Sequence, residues 1–278
     1  MELWYTEKQT DNVGITCKVN RTLHTETSPF QRIDVLETKQ FGRMLLLDGL
    51  VMTTEKDEFV YHEMIAQVPL NTHPDPQRVL VIGGGDGGSL REVTRHPKVR
   101  QATLCEIDAR VIEVCQEYFP AIANALRGNP KAEILVADGI AHIQERPHYY
   151  DVILIDSTDP IGAAEGLFTL DFYRQVYKSL KEDGIMAAQT ESPFYDLNLV
   201  RKIYKNIEQV FPVTKLYLAS IPTYPSGLWS FTLGSKRYDP EQVKEADIPD
   251  MPMQYYTAQI HKAAFNLPKF IDDALKTL

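Results

Sequence analysis

Acidic residues in this sequence gather where buried apolar runs end. Asp86 sits inside Gly83-Gly84-Gly85-Asp86-Gly87-Gly88 after Val79-Leu80-Val81-Ile82; Glu106 and Asp108 close a second run, Asp138 a third, and Asp156 and Asp159 follow Ile153-Leu154-Ile155. In an open parallel sheet, ligands bind outside the carboxyl ends of the strands, so these acids converge on one pocket. Gly83 and Gly85 let the backbone approach a nucleotide-type ligand, and the helix that follows points its N–H groups into the same space. Asp86 would repel a pyrophosphate there. The expected guest is therefore cationic and lacks phosphate, which a sulfonium nucleoside satisfies.

Each acid also has a plainer reading. Glu106, roughly 20 residues beyond the glycine turn, suits an acceptor for ribose hydroxyls, or is a solvated strand-end carboxylate. Asp138-Gly139 suits an adenine amino group, or a turn and helix cap. Asp156 and Asp159 alone would be a cap and a turn, but beside Asp86 they become a cation site, because clustered carboxylates persist only if a cation or a proton resolves their repulsion. The segment offers no histidine at ligand spacing, so an organic amine is favoured over a metal. His62, after Tyr61, is structural or lines the pocket; Tyr224, on the Pro222–Pro225 loop, packs that loop or walls an alkyl-amine channel.

The elements that must position these residues fall into two groups. Residues 1–68 read as a small antiparallel β domain, with Asp48-Gly49 as the tight turn of a hairpin over Gly42–Thr54, and a helix from Glu58 to Val68 before Pro69, Pro74 and Pro76. Residues 69–278 alternate strands and helices: strands at 78–82, 102–106, 133–137, 151–155, 185–189, 214–219 and 229–233 give an α/β fold with a parallel sheet. Gly184 marks the turn out of one helix, and residues 262–278 form another that begins near Pro268.

Composition narrows the class. The 278 residues are 44% hydrophobic and 24% charged, with a formal net charge of −9, which disfavours nucleic acid and suits cationic small molecules. No apolar run approaches a membrane span, and the first residues lack the order of a signal peptide, so a cytoplasmic protein is expected. Cys17, Cys105 and Cys115 form no Cys-x-x-Cys pair and read as reduced packing residues.

Four motifs in order, Tyr61-His62-Glu63-Met64, the glycine turn at 83–88, Asp156-Ser157-Thr158-Asp159-Pro160 and Pro222-Thr223-Tyr224-Pro225-Ser226-Gly227, resemble the spermidine synthases, a polyamine aminopropyltransferase family. The resemblance spans nearly the whole chain and implies a Rossmann-like methyltransferase-type sheet. It implies that Asp86 binds the propylamine end of decarboxylated S-adenosylmethionine, Glu106 its ribose, Asp138 with Gly139 its adenine, and Gln31 the nucleoside. Asp156, helped by Tyr61, would deprotonate putrescine, with Asp159, Tyr224 and His62 along the diamine channel. It further implies a cosubstrate in place of a bound cofactor, no metal, and a homodimer or homotetramer. One departure is Ala163, where many members carry proline. An amine N-methyltransferase, a polyamine-binding sensor without chemistry and an NAD-dependent oxidoreductase are the alternatives.

Overall fold

The computed structural model describes residues 2–158 and 162–276. Five strands, β1 (Leu3–Lys8), β2 (Gly14–Thr27), β3 (Arg32–Thr38), β4 (Arg43–Leu47) and β5 (Leu50–Thr54), pair in chain order as an antiparallel sheet. Asp48 and Gly49 take φ of 50° and 83°, the two positive values that the expected hairpin turn needs. Alternation along β4 explains its unbroken leucines. Leu45 and Leu47 join Ile33 and Val35 in the core shared with the rest of the chain, while Met44 and Leu46 pack with Cys17, Val19 and Leu36 on the other face.

Helix α1 (Glu58–Thr72) comes next and is buried from Val60 to Thr72, so it has no polar face. It runs past residue 68, where the sequence suggested a division, and holds Pro69 within its last turns. Only Pro74 and Pro76 lie in the connection that follows.

The second sheet has seven strands in the order β11-β12-β10-β9-β6-β7-β8. They are β6 (Arg78–Gly83), β7 (Gln101–Glu106), β8 (Ala132–Val136), β9 (Tyr150–Asp156), β10 (Leu180–Gln189), β11 (Val213–Ser220) and β12 (Leu228–Ser235). Helices α2 (Gly88–Arg95), α3 (Ala109–Tyr118), α4 (Gly139–Gln144), α5 (Leu170–Ser179) and α6 (Leu197–Glu208) cover it, and α7 (Ala258–Ala263) and α8 (Lys269–Lys276) end the described chain. Successive strand residues feed opposite apolar layers: Val79, Val81, Leu104, Val152 and Leu154 face one, and Leu80, Ile82, Ile153 and Ile155 the other.

Three sequence expectations are corrected. The sheet is parallel from β10 to β8, but β12 runs antiparallel to both β10 and β11. The connection between β11 and β12, residues 221–227, is too short for a crossover helix, so the chain turns back as a hairpin. Gly184 lies inside β10 at a register shift, since α5 already ends at Ser179; a Cβ there would come within 3.2 Å of the Asp151 carbonyl. The tail is two short helices, with Pro268 just before the second. Among the described residues no helix is long and apolar enough to cross a membrane.

Candidate active site

The glycine turn makes room for carboxylates. Gly83 pairs with Asp156 across β6 and β9, and Gly84 N–H donates to the Asp156 carbonyl at 2.7 Å. A Cβ on Gly84, where φ is +67°, would lie 2.7 Å from Asp156 Oδ2, and one on Gly85 would lie 3.0 Å from Glu106 Oε2. Gly88 passes beneath the His62 ring, 2.2 Å from where a Cβ would be. Gly84, Gly85 and Gly88 are thus glycine because acidic and imidazole side chains from three other elements crowd onto them. Asp86 turns back on itself, its Oδ1 accepting Gly88 N–H at 2.9 Å and its Oδ2 lying 3.2 Å from His62 Nε2.

Asp156 keeps a buried oxygen without a close hydrogen bond. Tyr61 donates its hydroxyl to Asp156 Oδ1 at 2.6 Å, whereas Oδ2 is buried and makes no close hydrogen bond among the described residues, with the Ser89 hydroxyl the nearby side-chain donor. Burial, together with the nearby charge of Asp86, raises the Asp156 carboxyl above the usual carboxylate range. Burial and the Asp156 charge likewise hold the Tyr61 phenol well above its ordinary value, so that it stays a donor. The Tyr61 ring lies 5.7 Å from that of Tyr224, whose hydroxyl donates to the Met52 carbonyl at 2.5 Å.

Glu106 is almost wholly buried, and burial pushes its carboxyl up to about 7 despite Asp108 N–H donating to it at 2.9 Å. Asp108 is structural: its Oδ1 caps α3 through Arg110 N–H, and its Oδ2 accepts Ser28 Oγ at 2.6 Å and Gln31 Nε2 at 3.0 Å. That pairing pins the turn between β2 and β3, with Gln31, over the pocket. Asp138 is exposed and caps α4 through Ile140 N–H at 2.8 Å. Gly139 behind it is buried against Ile82, which leaves no room for a Cβ.

One cavity of about 490 Å³ brings these residues together: Gln31, Tyr61, His62, Gly83, Gly85, Asp86, Glu106, Asp138, Gly139, Asp156 and Tyr224 all line it. Asp159 lies outside the described residues. Leu45, Leu47, Leu50 and Met52 of the first sheet supply an apolar wall to the same cavity. Such a space fits a nucleoside at one end and an alkyl chain bearing a cation at the other.

Known proteins share this fold and sequence. The profile of the spermine/spermidine synthase domain matches residues 58–245, and that of the spermidine synthase tetramerisation domain matches residues 3–55. The polyamine aminopropyltransferase of Bacillus cytotoxicus is 57% identical over 276 residues, covering 99% of this chain and 100% of that protein. The chain belongs to the spermine/spermidine synthase family. Membership of this family of polyamine aminopropyltransferases makes it an enzyme of the transferase class. The Bacillus subtilis member is 56% identical over 275 residues, 99% of each chain. Spermidine synthase from Thermotoga maritima superimposes with a TM-score of 0.92 at 45% identity, over 98% of this chain and 94% of that one. A spermidine synthase crystallised with the transition-state analogue AdoDATO gives a TM-score of 0.93 at the same identity and coverage. The Rossmann-like methyltransferase fold with its small antiparallel β domain is thereby established.

Several residues that support the candidate site escaped sequence reading. Asp57 precedes α1, where an acid reads as a cap, yet it makes no cap bond; its Oδ2 accepts Thr223 N–H at 3.0 Å and Thr223 Oγ1 at 2.7 Å, holding the Tyr224 loop. Glu58 meets His62 one helical turn on, with Oε2 2.5 Å from Nδ1. The i,i+4 spacing was the available signal for that pair. Gln189 donates to the carbonyls of Ser157 and Thr158 at 3.2 and 3.4 Å, steadying the segment that leaves Asp156. Among the described residues no cluster of three or more His, Cys, Asp or Glu could hold a metal ion.

Proposed function

We propose that the chain transfers the aminopropyl group of decarboxylated S-adenosylmethionine to putrescine, giving spermidine and methylthioadenosine. The observation that carries this reading is the buried Asp156 Oδ2 without a close hydrogen bond, with Tyr61 on the other oxygen and Asp86 across the glycine turn. The putrescine nitrogen forms a bond to the propyl carbon beside sulfur, the C–S bond breaks with its electron pair going to sulfur, and the proton leaving nitrogen passes to Asp156. An alkyl amine is an ammonium ion at neutral pH, at about the value of lysine, so a desolvated carboxylate must take that proton before attack. Alignment of nitrogen, carbon and sulfur supplies the remaining gain.

Asp86 receives the amine of the aminopropyl group in this reading. Intact S-adenosylmethionine would set its own carboxylate against Asp86 and be disfavoured. Glu106 takes the ribose hydroxyls, Asp138 and Gly139 the adenine, and Gln31 closes over the nucleoside; His62, Asp159 and Tyr224 line the diamine channel. The tetramerisation profile over residues 3–55 supports a homo-oligomer, dimer or tetramer, built on the first sheet. The testing experiment is mass spectrometry of products from pure protein incubated with decarboxylated S-adenosylmethionine and a mixture of diamines and polyamines. Spermidine with methylthioadenosine is expected; methylated amines from the intact nucleoside instead would replace this reading by N-methyl transfer.

A further inference from the structure

His62 is held on three sides. Its Nδ1 meets Glu58 at 2.5 Å, its Nε2 meets Asp86 at 3.2 Å, and Gly88 lies under the ring with no space for even a Cβ. Glu58 is itself gripped by Arg91 through two hydrogen bonds, 2.9 and 2.8 Å, and Arg91 Nε donates to the fully buried Glu92 at 2.7 Å. This chain of charges leads from the pocket into the packing of α1 on α2, and the proposed chemistry uses neither Glu58 nor Arg91.

Two carboxylates facing each other in a buried site do not both ionise without a cation between them, because each charge raises the other's proton affinity. His62, 3.2 Å from Asp86, is a cation whose charge also acts on Asp156. We propose that Glu58 is a positioning residue for the transfer: by fixing the His62 ring with Nε2 on Asp86, it keeps Asp86 and Asp156 ionised together. The inference rests on the reading of Asp156 as proton acceptor. Burial opposes charge on His62, but Asp86 on one nitrogen and Glu58 on the other hold the imidazole well above its usual range. Glu58, in spite of its own burial, is held down to about 2 by His62 and Arg91. The other groups facing the ring are the Tyr61 phenol, 5.4 Å away edge-on, and Asp156.

Glu58→Gln keeps the side-chain shape and an acceptor for Nδ1 but removes the charge. The His62 cation is then weaker, Asp156 holds its proton to higher pH, and the acid limb of kcat/KM for the amine moves up by about one pH unit. Ionisation of the substrate amine is common to wild type and variant and cancels in the comparison. Methylthioadenosine, which lacks the aminopropyl amine, serves as the folding control, and its affinity is expected to stay unchanged. An acid limb that stays with wild type, methylthioadenosine still binding, overturns the proposal. Asp156→Asn tests the underlying reading separately, since retained turnover there removes Asp156 as acceptor whatever Glu58 does. Should Glu58→Gln not fold, nitrogen-15 NMR of histidine-labelled wild-type enzyme decides: both His62 nitrogens are expected to carry protons from about pH 6 to about pH 8, and a neutral ring overturns the proposal.

Discussion

A buried lone pair without a close donor separates Asp156 from the acids that resemble it in sequence. Asp108 commits both oxygens to Arg110, Ser28 and Gln31, and Asp138 caps a helix through one oxygen and is exposed, whereas Asp156 keeps a buried oxygen without a close hydrogen bond beside the cavity. Asp156→Asn is therefore expected to lower kcat by about 10²- to 10⁴-fold while methylthioadenosine binding by calorimetry stays at the wild-type value. A parallel loss of both would make Asp156 a binding residue. Glu106 gives a pH prediction. Its carboxyl, lifted to about 7 by burial, is partly protonated in the empty enzyme at neutral pH, and ribose hydroxyls bind the ionised form. Affinity for methylthioadenosine should then fall as pH drops through that value, and binding at about pH 6.5 should release a proton, seen as a heat that depends on the buffer's ionisation enthalpy. Buffer-independent heat would remove Glu106 as the ribose acceptor. Asp86, Glu106, Asp108, Asp138 and Asp156 were legible where strands end; which of them stays unpartnered was not, because cross-element bonds such as Ser28 to Asp108 join residues 80 apart.

Elements from both sheets meet at the Tyr224 loop. Asp57 bridges the end of β5, through Thr54 Oγ1 at 2.5 Å, and the loop between β11 and β12, through Thr223, while Tyr224 reaches back to Met52 in β5. Asp57→Ala would leave the Thr223 N–H buried without its acceptor, a cost of about 1–3 kcal/mol in stability. Because that loop carries the channel wall, KM for the amine should rise severalfold with methylthioadenosine affinity kept. Asp57→Asn should restore most of it, its amide oxygen facing Thr223 and its nitrogen the Thr54 hydroxyl. Equal amine KM in all three proteins would show that Tyr224 is held by other contacts. The hairpin of β11 and β12 that carries this loop was read as part of a parallel sheet, because the residue pattern of a strand does not record which way it runs; the short connection between the two does. The strands themselves, the Asp48-Gly49 turn and the helical faces were legible, since each rests on local spacing. Pro69 misled because a proline reads as a boundary, whereas here α1 continues through it to Thr72.

At the scale of the whole molecule, charge and pocket act in the same direction. The chain carries a formal net charge of −9, and Asp48, Asp86, Glu106, Asp138 and Asp156 all line its cavity. A diamine near neutral pH is a dication, drawn both by the overall field and by the acids that focus it in a low-dielectric cleft. Raising monovalent salt from about 10 mM to about 100 mM shortens the screening length from about 30 Å to about 10 Å, less than the reach of that field across the molecule. We expect kcat/KM for putrescine to fall severalfold over this range, mainly through KM, while the affinity for uncharged methylthioadenosine stays flat. The two substrate halves thus report on different physics within one cavity. If kcat/KM were insensitive to salt, capture of the amine would rest on short-range contacts with Asp156 and Tyr224 alone, and the acidic surface would serve solubility only. If methylthioadenosine binding fell in step, salt would be acting on the fold, and the comparison would have to be made on the Asp156→Asn background, where the field changes by a single charge.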